Sequence, residues 1–213
     1  MNHRSSFIRC LPWLLLGALP SSLSAAVPSD AADATPIEPG TPAPDVTLTT
    51  AAGDTRTLTA LRNDGPAVLV FYRGGWCPYC NTHLGELKTI EDELGILGYR
   101  LLAVSPDRPG KIAETATDLE VDYTLLSDSP ADAMKAFGVA FRVPQQLVDT
   151  YRTEYGIDLE ADSGETHHIL PVPSVFVIDA DGVVRYVYSN ADYKVRLDPE
   201  QLLAEAKAVQ MKE

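Results

Sequence analysis

Ala67-Val68-Leu69-Val70-Phe71-Tyr72, followed by Arg73-Gly74-Gly75-Trp76-Cys77-Pro78-Tyr79-Cys80, is the stretch that decides how the chain is read. The first six residues are a continuous apolar run, the pattern of a strand buried on both faces of a sheet. From Cys77 to Leu97 the pattern turns helical, with Leu84, Leu87, Leu94 and Leu97 along one stripe. Two cysteines therefore stand three residues apart at a strand-to-helix junction. A thiolate placed there meets unpaired backbone N–H groups and the positive end of the helix dipole, so its pKa falls. A second thiol one helical turn on is close enough to close a disulfide. Thiol–disulfide chemistry uses this arrangement. Two structural thiols, or half of a zinc site, are the plainer alternatives.

The start of the chain reads as an export signal. His3, Arg4 and Arg9 form a basic opening, Leu11 to Leu19 is an apolar run too short to span a bilayer, and small residues from Ser21 to Ala26 suit cleavage. The expected signal peptide is 1–26. Cys10 leaves with it, so two of the three cysteines remain. Residues 27–40, rich in Pro, Ala and Asp, predict a flexible linker. Residues 41–213 are enough for one domain with a sizeable core. Losing 1–26 removes two arginines and no acids, which moves the net charge from −13 to −15. Such acidity argues against nucleic acid or an anionic membrane surface as a partner. No stable membrane association is expected after signal cleavage.

Elsewhere the periodicities alternate. Pro44 to Leu48 and Thr55 to Leu58 are short strand candidates about a Gly53-Asp54 turn. Arg100 to Val104 predicts a second buried strand, ended by Ser105-Pro106-Asp107. Ile112, Ala116 and Leu119 suit a helix, Tyr123 to Leu126 a short strand, and Ser129-Pro130 opens a helix through Phe137. Residues 139–170 are less regular and longer than an ordinary loop, with helix expected around Gln145–Tyr155. Ser174 to Asp179 and Val183 to Tyr188 predict a hairpin, and Asp198, Pro199 and Gln201 a helix start of capping-box type. The sum is an α/β fold, a mixed β-sheet sandwiched by helices.

With these elements placed, the chain resembles the thioredoxin-like superfamily, and within it the peroxiredoxin-like (alkyl hydroperoxide reductase/thiol-specific antioxidant) family. The likeness runs from Gly40 to the C-terminus. It is carried by Phe71 to Cys80, by Ala103-Val104-Ser105-Pro106-Asp107, by Val172-Pro173-Ser174-Val175-Phe176-Val177-Ile178-Asp179, and by Asp192-Tyr193-Lys194-Val195-Arg196-Leu197. The resemblance implies a thioredoxin-like fold and a thiol-dependent peroxidase that needs neither cofactor nor metal. The family signature places a proline, and then a Thr or Ser, before the peroxidatic cysteine. With Cys80 in that slot, Arg73 stands where the proline belongs and Cys77 where the hydroxyl belongs. The family's later arginine would fall near Val172, leaving Arg142 or Arg185 as substitutes. Likeness to thioredoxins instead makes Cys77 the nucleophile, and Val172-Pro173-Ser174 resembles the cis-proline loop that faces the cysteine pair there. Phe71 occupies the place of the thioredoxin buried acid.

The candidate site residues are thus Cys77, Cys80, Arg73 and Pro173. Its position at the helix N-terminus makes Cys77 the expected nucleophile and the more exposed thiol, with Cys80 resolving; the peroxiredoxin alignment reverses those roles. Arg73 is either a thiolate-stabilising group or a solvated loop charge, Pro173 an expected cis-proline, and Trp76 a shield over the pair. His167 and His168 read as solvated loop residues or as proton carriers, and His83 as a surface helix residue. The expected function is an exported, periplasmic or secreted peroxidase acting on hydrogen peroxide or alkyl hydroperoxides. A thioredoxin-like or other dithiol protein would be its electron donor. The alternatives are a thiol–disulfide oxidoreductase acting on protein disulfides, and a copper-binding module using Cys77, Cys80 and a histidine.

Overall fold

The computed structural model describes residues 26–211, so the expected signal peptide, apart from Ala26, lies outside the described residues. At the centre is β3 (Ala67–Phe71), paired parallel to β4 (Arg100–Ser105) on one side and antiparallel to β8 (Ser174–Ile178) on the other. Beyond β4 lie β5 (Thr124–Ser127), β1 (Thr47–Thr50) and β2 (Thr55–Thr57); beyond β8 lies β9 (Val184–Ser189). The sheet order is β2-β1-β5-β4-β3-β8-β9, a mixed sheet with parallel pairing only in β3–β4–β5. This is the thioredoxin-like α/β architecture that the sequence predicts.

Strand periodicity sorts the core into two layers. Val68, Val70, Tyr72, Leu101, Ala103, Val175 and Val177 point to one face. They meet α2 (Pro78–Ile96), α3 (Pro109–Leu119) and α7 (Pro199–Gln210) through Leu84, Leu87, Ile112, Leu202 and Ala206. Ala67, Leu69, Phe71, Leu102, Val104 and Phe176 point to the other face, against α1 (Leu58–Arg62) and α4 (Asp132–Ala136). Both faces are covered, which is why β3 reads as an unbroken apolar run rather than an alternating one. At the far end of the chain, the Asp198 carboxylate accepts from the Glu200 and Gln201 N–H groups and caps α7, as its sequence signature requires.

Three stretches differ from the sequence reading. Leu58 begins a helix rather than ending a strand, because the Thr57 hydroxyl caps it by accepting from the Ala60 N–H at 3.2 Å. The 139–170 segment holds more structure than one helix. It contains β6 (Ala140–Arg142), α5 (Gln145–Glu154) and α6 (Leu159–Ser163), and β6 pairs antiparallel with β7 (Ile169–Pro171) to close it as a separate two-stranded flap.

Residues 27–40, expected as a flexible linker, are laid onto the domain instead. Pro28 carbonyl accepts from the Arg142 N–H at 2.7 Å, Ile37 N–H donates to the Phe137 carbonyl at 3.1 Å, and Gly40 N–H donates to the Val184 carbonyl at 2.7 Å. Val27 and Ile37 pack on the second core layer. Composition missed this because each contact is made by backbone or by an isolated apolar side chain.

Gly138 sits where that N-terminal stretch crosses the fold, at φ +70°, and a Cβ there would lie 2.0 Å from the Thr35 carbonyl oxygen. Gly138→Ala therefore combines left-handed backbone strain with a collision, and should cost about 1–3 kcal/mol. Urea unfolding and limited proteolysis of residues 27–37 check this. Unchanged stability with an uncut N-terminal stretch would show that the close approach is not a structural requirement.

Candidate active site

The C-terminal end of β3 delivers the site. Tyr72 N–H still pairs with the Val104 carbonyl at 2.9 Å, and the chain then turns through Gly74-Gly75 so that Cys77 N–H donates to the Gly74 carbonyl at 3.1 Å. Only glycine fits at either turn position. Gly74 lies at φ +150°, and a Cβ there would meet the Trp76 Nε1 at 2.3 Å; one on Gly75 would meet the Thr115 hydroxyl at 1.9 Å. Gly75 is held at both ends. Its N–H donates to Asp107 Oδ2 at 2.7 Å, and its carbonyl accepts from Asn81 Nδ2 at 2.7 Å. Asp107 is buried, and burial pushes its carboxyl up to about 7, with Asp162 adding to the rise.

This loop sets Cys77 as the N-cap of α2, in extended conformation, with Pro78 at the first helical position and no side-chain cap. The Cys77 sulfur therefore lies at the positive end of the α2 dipole. Its thiol is lowered to about 6. The largest cause is the hydrogen bond from the Cys80 thiol; the Cys80 N–H and the charges of Arg73 and Arg196 help, against burial. Cys80 moves the other way, well above an ordinary thiol, through burial and then through the bond to Cys77 and the Cys77 charge. The pair is thus polarised, with the anion on Cys77 and the proton on Cys80. Both thiols are free and each is only 1% exposed, so the expectation that Cys77 is the more exposed is corrected. Segments from elsewhere in the chain cover them both.

One charge comes from the turn itself and one from a distant segment. Arg73 is buried, donates from Nη2 to the Tyr151 hydroxyl of α5 at 2.5 Å, and stacks on Tyr193 at 4.2 Å and on Trp76 at 5.0 Å. It is not a solvated loop charge. Trp76 leans on Tyr151, with ring centroids 6.0 Å apart, so the indole is itself capped by the 139–170 flap. Tyr79 and Tyr193 meet edge to face at 5.7 Å. Beside them Arg196 reaches from the segment before α7 and donates from Nη2 to Cys80 Sγ at 3.4 Å.

His83, read from sequence as a surface residue, is 3% exposed, its Nε2 unpartnered. Burial and then the Arg196 charge lower it to about 4, so it is neutral at ordinary pH. Arg196 and buried His83 were missed. The only sequence signal for Arg196 was its place in the Asp192–Leu197 segment.

Other expected residues lie apart. Pro173 is trans, since no cis peptide occurs among the described residues. The chain runs extended from β7 through Val172, whose N–H pairs with the Val139 carbonyl, directly into β8. Pro173 nonetheless lines a cleft of about 290 Å³ with Arg73, Tyr151, Val172 and Tyr193. His167 bonds the Ser129 carbonyl and the Ile169 N–H through its two ring nitrogens, and His168 pairs with Glu160 at 2.8 Å. Arg142 is bonded to the His167 carbonyl and Arg185 to Asp179, so each serves the fold where it lies. Among the described residues, no three His, Cys, Asp or Glu side chains are grouped to hold a metal ion.

Residues 39–187 match the model of the AhpC/TSA family. The chain belongs to the AhpC/TSA family. It is a Bcp-like peroxiredoxin within the thioredoxin-like superfamily, and its enzyme class is thiol-dependent peroxidase. It is 29% identical to the peroxiredoxin Bcp of Escherichia coli K12 over 149 residues, 70% of this chain and 83% of that protein. Its fold superposes on peroxidoxin BcpB of Mycobacterium tuberculosis with TM-score 0.62 and 25% identity, covering 81% and 98% of the two chains. A peroxiredoxin 6 of Arenicola marina shares the fold at TM-score 0.67 and 16% identity, covering 83% and 74%.

Two expected outcomes test the electrostatics. Alkylation of Cys77 should be half-maximal near pH 6 and fall below it. Cys80→Ala removes the principal donor and should move that midpoint upward, whereas Cys80→Ser keeps a hydroxyl donor and should move it less; coincident profiles in all three proteins would refute the S–H···S bond.

His83 supplies the second. Unfolded, it takes up a proton near its ordinary 6.5, but folded only near 4, so the unfolded chain binds more protons in that window. Stability contributed there falls as pH falls, by about 1.4 kcal/mol per unit. Asp107 and Asp128, both raised to about 7, act in the opposite sense, so the test is the difference between wild type and His83→Gln. Denaturation midpoints compared at several pH values between 4 and 6.5 should show the variant losing that slope.

Proposed function

We propose that this chain is an exported peroxidase that reduces hydrogen peroxide or alkyl hydroperoxides through a Cys77–Cys80 dithiol/disulfide cycle. The observation that carries the proposal is the pair of free thiols one helical turn apart, Cys77 at the N-cap of α2 and Cys80 in its first turn with the Arg196 guanidinium on its sulfur; the Cys77 thiol is lowered to about 6 and that of Cys80 is raised. The Cys77 thiolate attacks the peroxide, the O–O bond breaks, and with one proton taken up the products are Cys77 sulfenic acid and an alcohol or water. Arg73 and Arg196 stand at the site as the cations that favour the attacking anion. The Cys80 sulfur then bonds to Cys77, and its proton leaves with the sulfenic hydroxyl as water. A dithiol protein returns two electrons by thiol–disulfide exchange and restores both thiols.

Membership of the AhpC/TSA family weighs against the disulfide oxidoreductase alternative. For the copper-binding alternative, the described residues supply no three-ligand group. Export rests on the basic start and short apolar run of residues 1–26, and places the enzyme in the periplasm or outside the cell, where a thioredoxin-like donor would serve it.

Stopped-flow mixing of the reduced protein with hydrogen peroxide tests the cycle. Oxidation should be much faster than that of free cysteine thiolate, consume one peroxide per chain and then stall until a dithiol is added. Cys77→Ser should abolish the fast reaction. An oxidation rate no faster than free cysteine would remove the peroxidase reading.

A further inference from the structure

The mechanism leaves the second step unexplained. Cys80 must attack as a nucleophile, yet in the reduced protein it is the thiol that is held protonated. We propose that Arg196 is the residue that activates Cys80 for resolution, and that it becomes effective only once Cys77 has been oxidised. The inference rests on the dithiol cycle proposed above and assigns the regulation of that same site.

Its geometry is direct. Arg196 Nη2 lies 3.4 Å from Cys80 Sγ, the one side-chain donor recorded on that sulfur among the described residues. The guanidinium is held in place from its other side. Its Nη1 donates to the Tyr193 carbonyl and to the Val195 carbonyl, the latter at 3.1 Å. It is therefore a fixed charge presented to Cys80 by the segment that closes over the start of α2. Neighbouring groups do not compete for the role. His83, on the next turn of the same helix, is buried and neutral, and Arg73 is committed to Tyr151 and the aromatic rings.

Oxidation of Cys77 changes the balance of charges on Cys80. In the reduced pair Cys80 is raised by burial, by donating its proton to Cys77, and by the Cys77 negative charge; Arg196 and the Arg73 N–H work against these. When Cys77 becomes a neutral sulfenic acid, the charge is gone and the acceptor for the Cys80 proton is far weaker. Burial alone then opposes ionisation, and Arg196 still favours it. The order of events is built into the site: Cys80 stays protonated and supports the Cys77 thiolate until peroxide has been consumed, and only then becomes the attacking sulfur. In that attack the S–S bond forms, the Cys77 S–O bond breaks, and the Cys80 proton leaves with the hydroxyl as water. No external oxidant beyond the peroxide is needed.

Trp76 fluorescence in stopped-flow separates the two steps, one dependent on peroxide concentration and one independent of it. An adjacent cation shifts a thiol by about 1–3 pKa units; a loss of about two would cut the thiolate roughly 100-fold, offset about tenfold by greater nucleophilicity. Arg196→Gln should accordingly slow the concentration-independent step about tenfold, with a smaller effect on the first step. Arg196→Lys should restore much of the loss. Sulfinic acid at Cys77, read by mass spectrometry under excess peroxide, should rise in Arg196→Gln as the sulfenic acid survives longer. An unchanged second step, or equal slowing of both steps, overturns the proposal. So does sulfenic acid forming on Cys80 in Cys77→Ser at the wild-type rate, because Cys80 would then be the peroxide-attacking thiolate and its bond to Arg196 would serve attack and not resolution.

A second measurement is independent of peroxide. An aromatic disulfide reagent of the dithiobis-nitrobenzoate type first labels Cys77 and releases one thiolate, and attack by Cys80 releases the second. Arg196→Gln should slow the second release selectively. If the wild-type protein fails the peroxide test but the second release still depends on Arg196, the peroxidase reading falls and the role of Arg196 stands. If the second release is unaffected, the role of Arg196 falls whatever the oxidant. Circular dichroism and the first release confirm that each variant is folded.

Discussion

The site depends on β3 being held on every side. It is paired on both edges, to β4 and β8, and covered on both faces, so its C-terminal end has no freedom to drift. The turn that follows inherits that rigidity. Gly75 is pinned by Asp107 from the end of β4 and by Asn81 from the first turn of α2, and together these bonds fix the angle at which the helix leaves the sheet. Were the turn able to relax, the Cys77 sulfur would lose its place at the N-terminus of α2, and with it part of the stabilisation of the anion. The core layers and the chemistry thus share one origin.

A second constraint is electrostatic. Two cations, Arg73 and Arg196, are brought against a sulfur pair that is almost wholly removed from water. Such charges are tolerated because each has partners: Arg73 has the Tyr151 hydroxyl and three aromatic faces, Arg196 the Tyr193 and Val195 carbonyls. Apart from Trp76, these partners come from segments peripheral to the thioredoxin-like sheet, the 139–170 flap and the turn before α7. In this chain the fold provides the helix end and Arg73, and the additions around it hold that charge, add Arg196 and help exclude water.

Where the sequence was legible, the information was local. The buried strands, α2 with its leucine stripe, the β8–β9 hairpin and the Asp198 cap are each written in residues within a few positions of one another. Where it was not, the cause was distance or context. His83 lies on a helix face whose partner cannot be read from α2 alone. Pro173 sits in a segment that resembles a cis-proline loop, but pairing of Val172 with Val139 carries the backbone straight on. Residues 27–40 have the composition of a tether, and only their backbone hydrogen bonds reveal them as part of the domain.

Sequence by itself determined that two cysteines would stand at a strand-to-helix junction with a thiolate favoured at the helix end, because 3.6-residue periodicity and strand burial are short-range properties. It also determined the α/β class and the family resemblance. The tertiary structure alone brought Arg196 to the thiols and decided that Arg73, a candidate from its position, is buried beside them. Arg196 is 116 residues from Cys80, and Tyr151 is 78 from Arg73. Such contacts depend on how separate segments pack over the end of one helix, and no local pattern encodes that packing. For the same reason the burial of both thiols, and the division of anion and proton between them, emerge only when the chain is folded.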